Sequence, residues 1–217
     1  MTSPKSASDT AYEQIRRRII EGEYRPSQRL VEASLAASLG VSRHNVRVAL
    51  DRLQSIGLVH IEPNVGATVA ALTLDDALDT LRAREALEVE VAKMAAARID
   101  DAAAARLGEL VGTMREALAA HEFDRYSATN RAFHDAIFEL SGNRTIPELI
   151  GLLRLRMAQL QLRTILIPGR SERSLAEHAA ICEALEARDP VRTEAAVRAH
   201  IGQLREAIKR AWSLVRL

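Results

Sequence analysis

A glycine set between two short apolar-periodic runs constrains this chain more than any other feature. Residues 31–39, VEASLAASL, read as a short helix, and Gly40 suits the left-handed residue that ends one. Val41 then leads into Ser42, a good N-cap for the run RHNVRVALDRLQS, which Gly57 ends. Within that run Val46, Ala49, Leu50 and Leu53 follow the i, i+3, i+4, i+7 pattern and form one apolar stripe. Two short helices joined by a glycine turn read as a helix-turn-helix. A first helix is expected over 11–20, where Tyr12, Ile15, Ile19 and Ile20 fall near helical spacing before Gly22. Beyond the pair, LVHIE and ATVAA are short β-type runs on either side of Pro63-Asn64-Val65-Gly66, a hairpin-turn composition. Helix, helix-turn-helix, hairpin is the order of a winged helix.

Arg43, His44 and Arg47 fall away from the apolar stripe, in the first turns of the second helix. A recognition helix presents that end to base edges in the major groove, where arginine can bond guanine through two acceptors. Asn45 is a further base reader or phosphate ligand, and Ser42 with the helix N-terminus suits a phosphate oxygen. Two arginines on a helix are, taken alone, an ordinary solvated face; the order of elements around them is what favours DNA contact. Charge adds little, since residues 11–72 carry a net +2 and residues 73–217 a net −1. Aromatic residues, at 3%, are too few for base-stacking platforms, which argues against single-strand or RNA binding.

From Thr73 onward the strand signals stop, and Thr73 with Asp76 resembles a capping box opening a long helix to about residue 99. Further helices are expected over 102–120, 124–141, 146–166, 172–187 and 190–215, broken at Gly142, Pro168-Gly169 and Asp189-Pro190. The expected fold is mainly α: a disordered N-terminus over 1–10, a winged helix-turn-helix over 11–72, and an all-α six-helix bundle over 73–217 for effector binding and dimerisation. No run of eighteen apolar residues occurs, and the N-terminus lacks a signal-peptide pattern, so a cytoplasmic protein without a membrane span is expected. The lone Cys182 reads as a small buried hydrophobe.

The run LVEASLAASLGVSRHNVRVALDRLQSIGLV closely resembles the helix-turn-helix of GntR-type regulators, in which G-V-S-R is followed by V-R and A-L on a leucine-rich helix. The resemblance implies a bacterial DNA-binding transcription regulator, expected to be a repressor and not an enzyme. It makes Ser42, Arg43 and Arg47 DNA contacts and Gly66 the tight wing tip that approaches the minor groove. This chain departs from the pattern in carrying His44-Asn45 for the commoner Thr-Pro, and Val65 for an Arg often found before the wing glycine. Those departures bear on the operator sequence and the wing contact. Residues 73–217 resemble the FCD effector domain of the FadR-like branch, with six helices as in its VanR-type subgroup. The carrying segments are RAREALEVEVAKMAAARI near residue 84, NRAFHDAIFELSGN from 130, EHAAI at 177 and AAVRAHI at 195.

In that family a D-x-x-x-H pair on one helix and two later histidines commonly bind a divalent metal, and the matching positions here are Asn130, His134, His178 and His200. Spacing agrees. Asn130 and His134 are i, i+4 neighbours on one helix face. His178 lies eleven residues before Asp189 and His200 ten after Pro190, which brings them to a similar height on an antiparallel helix pair. Neutral imidazoles suit zinc, nickel or another first-row ion, while Asn130 keeps an oxygen ligand but removes a negative charge. One such histidine would read as an ordinary core or surface residue; the set is what points to a metal. His44, His60 and His121 fit no such pattern. Arg84, on a face with Leu87 and Val91, brings a cation to the interior, and two readings stay open. One is a structural salt bridge, for instance with Glu88; the other, implied by the resemblance, is a grip on an effector carboxylate, with Phe133 adding to an apolar lining. The expected partners are thus a pseudo-palindromic operator duplex, a small carboxylate effector and a second copy of the chain. Two rivals stand beside this: a metal-dependent hydrolase, for which H-E-x-x-H is lacking, and a ligand-free structural dimer module on a DNA-binding head.

Overall fold

The computed structural model describes residues 6–158, 160, 164 and 167–215. The chain divides into two compact units, one built on the chain up to Thr73 with a short segment beginning at Arg154, the other on the chain from Leu74.

The first unit holds α1 (Ala7–Ile20), β1 (Arg29–Leu30), α2 (Glu32–Leu39), α3 (Arg43–Ser55), β2 (Val59–Glu62) and β3 (Gly66–Val69). The expectation of disorder over 1–10 is corrected, because α1 begins at Ala7. Ser6 caps it: the Ser6 hydroxyl accepts the Asp9 N–H, and the Asp9 carboxylate accepts the Ser6 N–H in return. That capping box satisfies two orphan donors of the first turn and extends the helix beyond its apolar stripe. Residues 1–5 lie outside the described residues. Gly40 ends α2 at φ 65°, a conformation a side chain would strain. Ser42 caps α3 through its Oγ, 3.2 Å from the Asn45 nitrogen. Val46, Ala49, Leu50 and Leu53 are buried as one stripe and pack in a core with Ile15, Ile19, Leu35, Leu58 and Val69. Each large apolar side chain sealed there contributes about 1.5–3 kcal/mol.

The sheet runs β1-β3-β2, antiparallel throughout. The hairpin pairs Val59 with Val69 and Glu62 with Gly66, and its turn holds Asn64 at φ 65°. Strand β1 is not foreseen by the sequence reading. It pairs Arg29 with Thr68 and Leu30 with Ala67, and buried Leu30 fastens it to the core.

The second unit holds, among the described residues, α4 (Leu74–Ala96), α5 (Asp101–Ala119), α6 (Phe123–Ser141), α7 (Thr145–Arg156, whose end from Arg154 counts with the first unit), α8 (Arg170–Glu186) and α9 (Pro190–Val215). Of the helix expected over 146–166, α7 covers the part to Arg156; the rest falls largely outside the described residues. Asp100 caps α5 and left-handed Gly142 ends α6. Helix α4 packs on α6 and α9, α5 on α6 and α8, and α8 on α9. The interior so enclosed is partly polar, with Arg84, Glu88, His134, Arg170, His178 and His200 all buried. Among the described residues no helix is long and apolar enough to cross a membrane.

Candidate metal centre and DNA-reading surface

Three helices of the second unit each turn one imidazole toward a common point. His134 comes from α6, His178 from α8 and His200 from α9, and one ligand atom of each lies within 4.8 Å of the others. The Nε2 atoms of His134 and His178 are 3.2 Å apart. Ligand nitrogens about 2.0–2.1 Å from a tetrahedral ion stand roughly 3.3 Å apart, so this pair already has the spacing of two ligands of one ion. His178 is fully buried and the other two are nearly so. One turn before His134, the Asn130 Oδ1 is buried with no hydrogen-bond partner. Such an oxygen costs about 1–3 kcal/mol unless something bonds it. Three imidazoles and an amide oxygen are a donor set that fits a first-row divalent ion.

The surroundings orient these donors. Glu177 Oε2 lies 2.8 Å from His200 Nδ1. A carboxylate only accepts, so the proton sits on Nδ1 and the Nε2 lone pair is left for an ion. Glu177 is held in turn by Arg170, whose Nη1 and Nη2 donate to its two oxygens at 3.2 Å each. The Ser174 hydroxyl lies 3.5 Å from His178 Nδ1, and Phe133 meets the rings of His178 and His134 edge-on at 5.2 and 5.8 Å. Tyr126 donates to the Ser171 carbonyl at 3.3 Å, and burial pushes its phenol above the usual range. Sequence reasoning missed Glu177 and Arg170. Their signal was present, since 170, 174, 177 and 178 fall on one face of a helix.

Arg84 is 1% exposed and its Nε donates to Glu88 Oε1 at 2.9 Å, with Nη2 at the same distance. The salt-bridge reading is therefore realised, yet Nη1 of the same guanidinium is buried without a partner. A donor remains to be used. Val91 and Phe133 are buried, and Leu87 is half-buried.

In the first unit, Ser42, Arg43, His44 and Arg47 are exposed and Asn45 is half-buried, all in the cap and opening turns of α3. Arg47 does not project freely. Its Nε and Nη2 donate to the two Glu32 oxygens at 3.0 and 2.9 Å, tying α3 to α2. That hydrogen-bonded guanidinium holds the Glu32 carboxyl below its ordinary range and raises Arg47 in return. Gly66 opens β3 opposite Glu62 at φ 103°, where only glycine is at ease.

Residues 7–69 match the family model described as bacterial regulatory proteins, gntR family, and residues 79–203 match the FCD domain. The chain belongs to the GntR family of bacterial transcription regulators. Its winged head carries the GntR signature, and its helical unit is an FCD domain. Among similar proteins are the uncharacterized HTH-type transcriptional regulator BphR of Paraburkholderia xenovorans, 27% identical over 91% of this chain and 83% of its own, and the HTH-type transcriptional repressor RspR of Escherichia coli K12, 24% identical over 91% and 87%. The structure of E. coli McbR/YncC superposes with a TM-score of 0.79 at 22% identity, covering 96% of this chain and 100% of that one. A GntR regulator from Rhodococcus sp. RHA1 gives 0.76 at 23%, over 95% and 99%. At those identities the structures share a fold. Members of this family are transcription regulators, which removes the hydrolase reading of the three histidines.

Proposed function

We propose that this GntR regulator is a ligand-responsive repressor, acting in the cytoplasm as a homodimer, whose FCD domain holds a divalent ion and a small organic acid. The observation that carries the reading is the buried convergence of His134, His178 and His200, with the unpartnered Asn130 oxygen on the same helix one turn before His134. Those four residues would hold the ion, with zinc or nickel the candidates. A bound ion supplies a Lewis-acidic anchor for an anionic oxygen. The charged groups nearest the triad come as a pair, Arg170 with Glu177, and Arg84 is likewise matched by Glu88. The charge of an ion there would therefore stay uncompensated by the protein, and the cavity favours an anion. Arg84 Nη1 is the donor available to orient a carboxylate, and Leu87, Val91 and Phe133 would exclude water and select the carbon skeleton.

On the DNA side, Ser42, Arg43, His44, Asn45 and Arg47 would meet the major groove and Gly66 the minor groove. Two-fold symmetry would match two half-sites of a pseudo-palindrome. The similarity to RspR, a transcriptional repressor, supports repression as the output. Effector binding would alter the spacing of the two heads, with a coupling of about 1–3 kcal/mol. The test is a thermal-shift comparison of carboxylic acids with their neutral amides on metal-loaded protein, before and after chelation, and on Arg84→Lys. Acids alone should raise the melting temperature, and chelation should abolish the effect. Amides that perform as well as acids, or an acid response indifferent to chelation, would sink the mechanism.

A further inference from the structure

The wing has a charge problem. Residues 59–69 contain no lysine or arginine, and their one acid, Glu62, pairs with His60 at 3.1 Å. A hairpin that meets a polyanion needs a cation, because neutralising phosphates and releasing their counterions supplies most of the sequence-independent affinity.

Strand β1 brings that cation from outside the hairpin. Arg29 sits opposite Thr68 on the edge of β3, and its guanidinium reaches back to the wing tip: Nε and Nη2 lie 3.9 Å from where a Cβ would stand on Gly66. The side chain is exposed, and among the described residues it makes no hydrogen bond or ion pair. Arg25 and Arg43 share that lack of a partner but belong to neither β1 nor the hairpin, and five other arginines of this unit are engaged. Arg16, Arg17, Arg18, Arg47 and Arg52 each lie within ion-pair distance of a carboxylate. Arg29 thus combines a fixed backbone position, an unengaged guanidinium and contact with the one residue of the turn region that has no side chain to keep a DNA strand away.

We propose that Arg29 is the wing's phosphate ligand, bonding a backbone oxygen beside the minor groove while bare Gly66 lets the strand close in. Such a contact positions the protein without reading sequence. The inference rests on the family's DNA binding and on nothing about metal or effector.

The experiment compares the parent, Arg29→Gln and Arg29→Lys on two duplexes: one enriched by the parent from a randomised pool, and a scrambled version of it. Affinity is read by fluorescence anisotropy across a salt series, with melting temperature as the fold control. Glutamine should weaken both duplexes alike, by about tenfold at low salt, and reduce the slope of log affinity against log salt by about 0.9 per head. Lysine should keep the slope, and all three proteins should melt together because no intramolecular partner is lost. Glutamine binding with parental slope and affinity would overturn the assignment. So would a loss confined to the enriched duplex, which would make Arg29 a base reader, or a lowered melting temperature, which would make it structural.

Discussion

In the proposed metal site Asn130 stands where a carboxylate would give an ion a matching charge, and that difference of one group sets what the other residues would have to do. Asn130→Asp should tighten metal binding, read by competition with a chelator of known affinity. Glu177→Gln should loosen it by about 10–100-fold, since the orienting acceptor on His200 is weakened while every ligand remains. His178→Ala should lower both retained metal, by elemental analysis, and melting temperature; a parent that purifies without metal and whose melting the substitution leaves unchanged would make these ordinary core histidines. On the head, Arg47→Ala should cost about 1–3 kcal/mol on the preferred duplex and much less on random DNA. Equal losses on both would strip it of base reading. His178 and His200 were legible because the break at Asp189-Pro190 fixed their heights on α8 and α9, and His134 through the resemblance and its i, i+4 spacing from Asn130. Glu177 and Arg170 shared a helix face with His178, but a charged pair on a helix reads as a solvated face until its low side-chain exposure is seen.

Among elements, α3 is the one most fully written in the sequence: its stripe, its Ser42 cap and the glycine before it all fell as spacing required. Gly40→Ala should destabilise the head by about 1–2 kcal/mol through the left-handed backbone alone, because an added Cβ would meet nothing within 4 Å. An unchanged denaturation midpoint would show that the turn relaxes. The α2–α3 tie should be pH-sensitive. Glu32 titrates below its ordinary value in the folded head, so its contribution is present above about pH 4.5 and is lost as pH falls further. Glu32→Gln should flatten that part of the stability profile; an acid limb as steep as the parent's would place the sensitivity elsewhere. Strand β1 escaped notice because two residues cannot display a period of two. The early start of α1 escaped because its capping box is polar and resembles a tail.

At the scale of the molecule, the proposed dimer predicts two chains per duplex in sedimentation, with affinity falling when one half-site is scrambled or when the spacing departs from a whole helical turn. One chain per duplex, insensitive to spacing, would remove the two-fold argument. The division into a head and a helical unit was readable from the end of strand signals near Thr73, whereas the return of the chain to the head from Arg154 had no signature in composition. The wing carries a last consequence, for how a lineage of such regulators changes targets. Backbone demands fall on Asn64 and Gly66, at φ 65° and 103°, while the cation at the tip enters from β1. Pro63 and Val65 carry no positive φ, so with the proposed Arg29 grip in place their side chains could change, within a turn closed by the Val65 N–H on the Glu62 carbonyl, without forfeiting the hold on DNA.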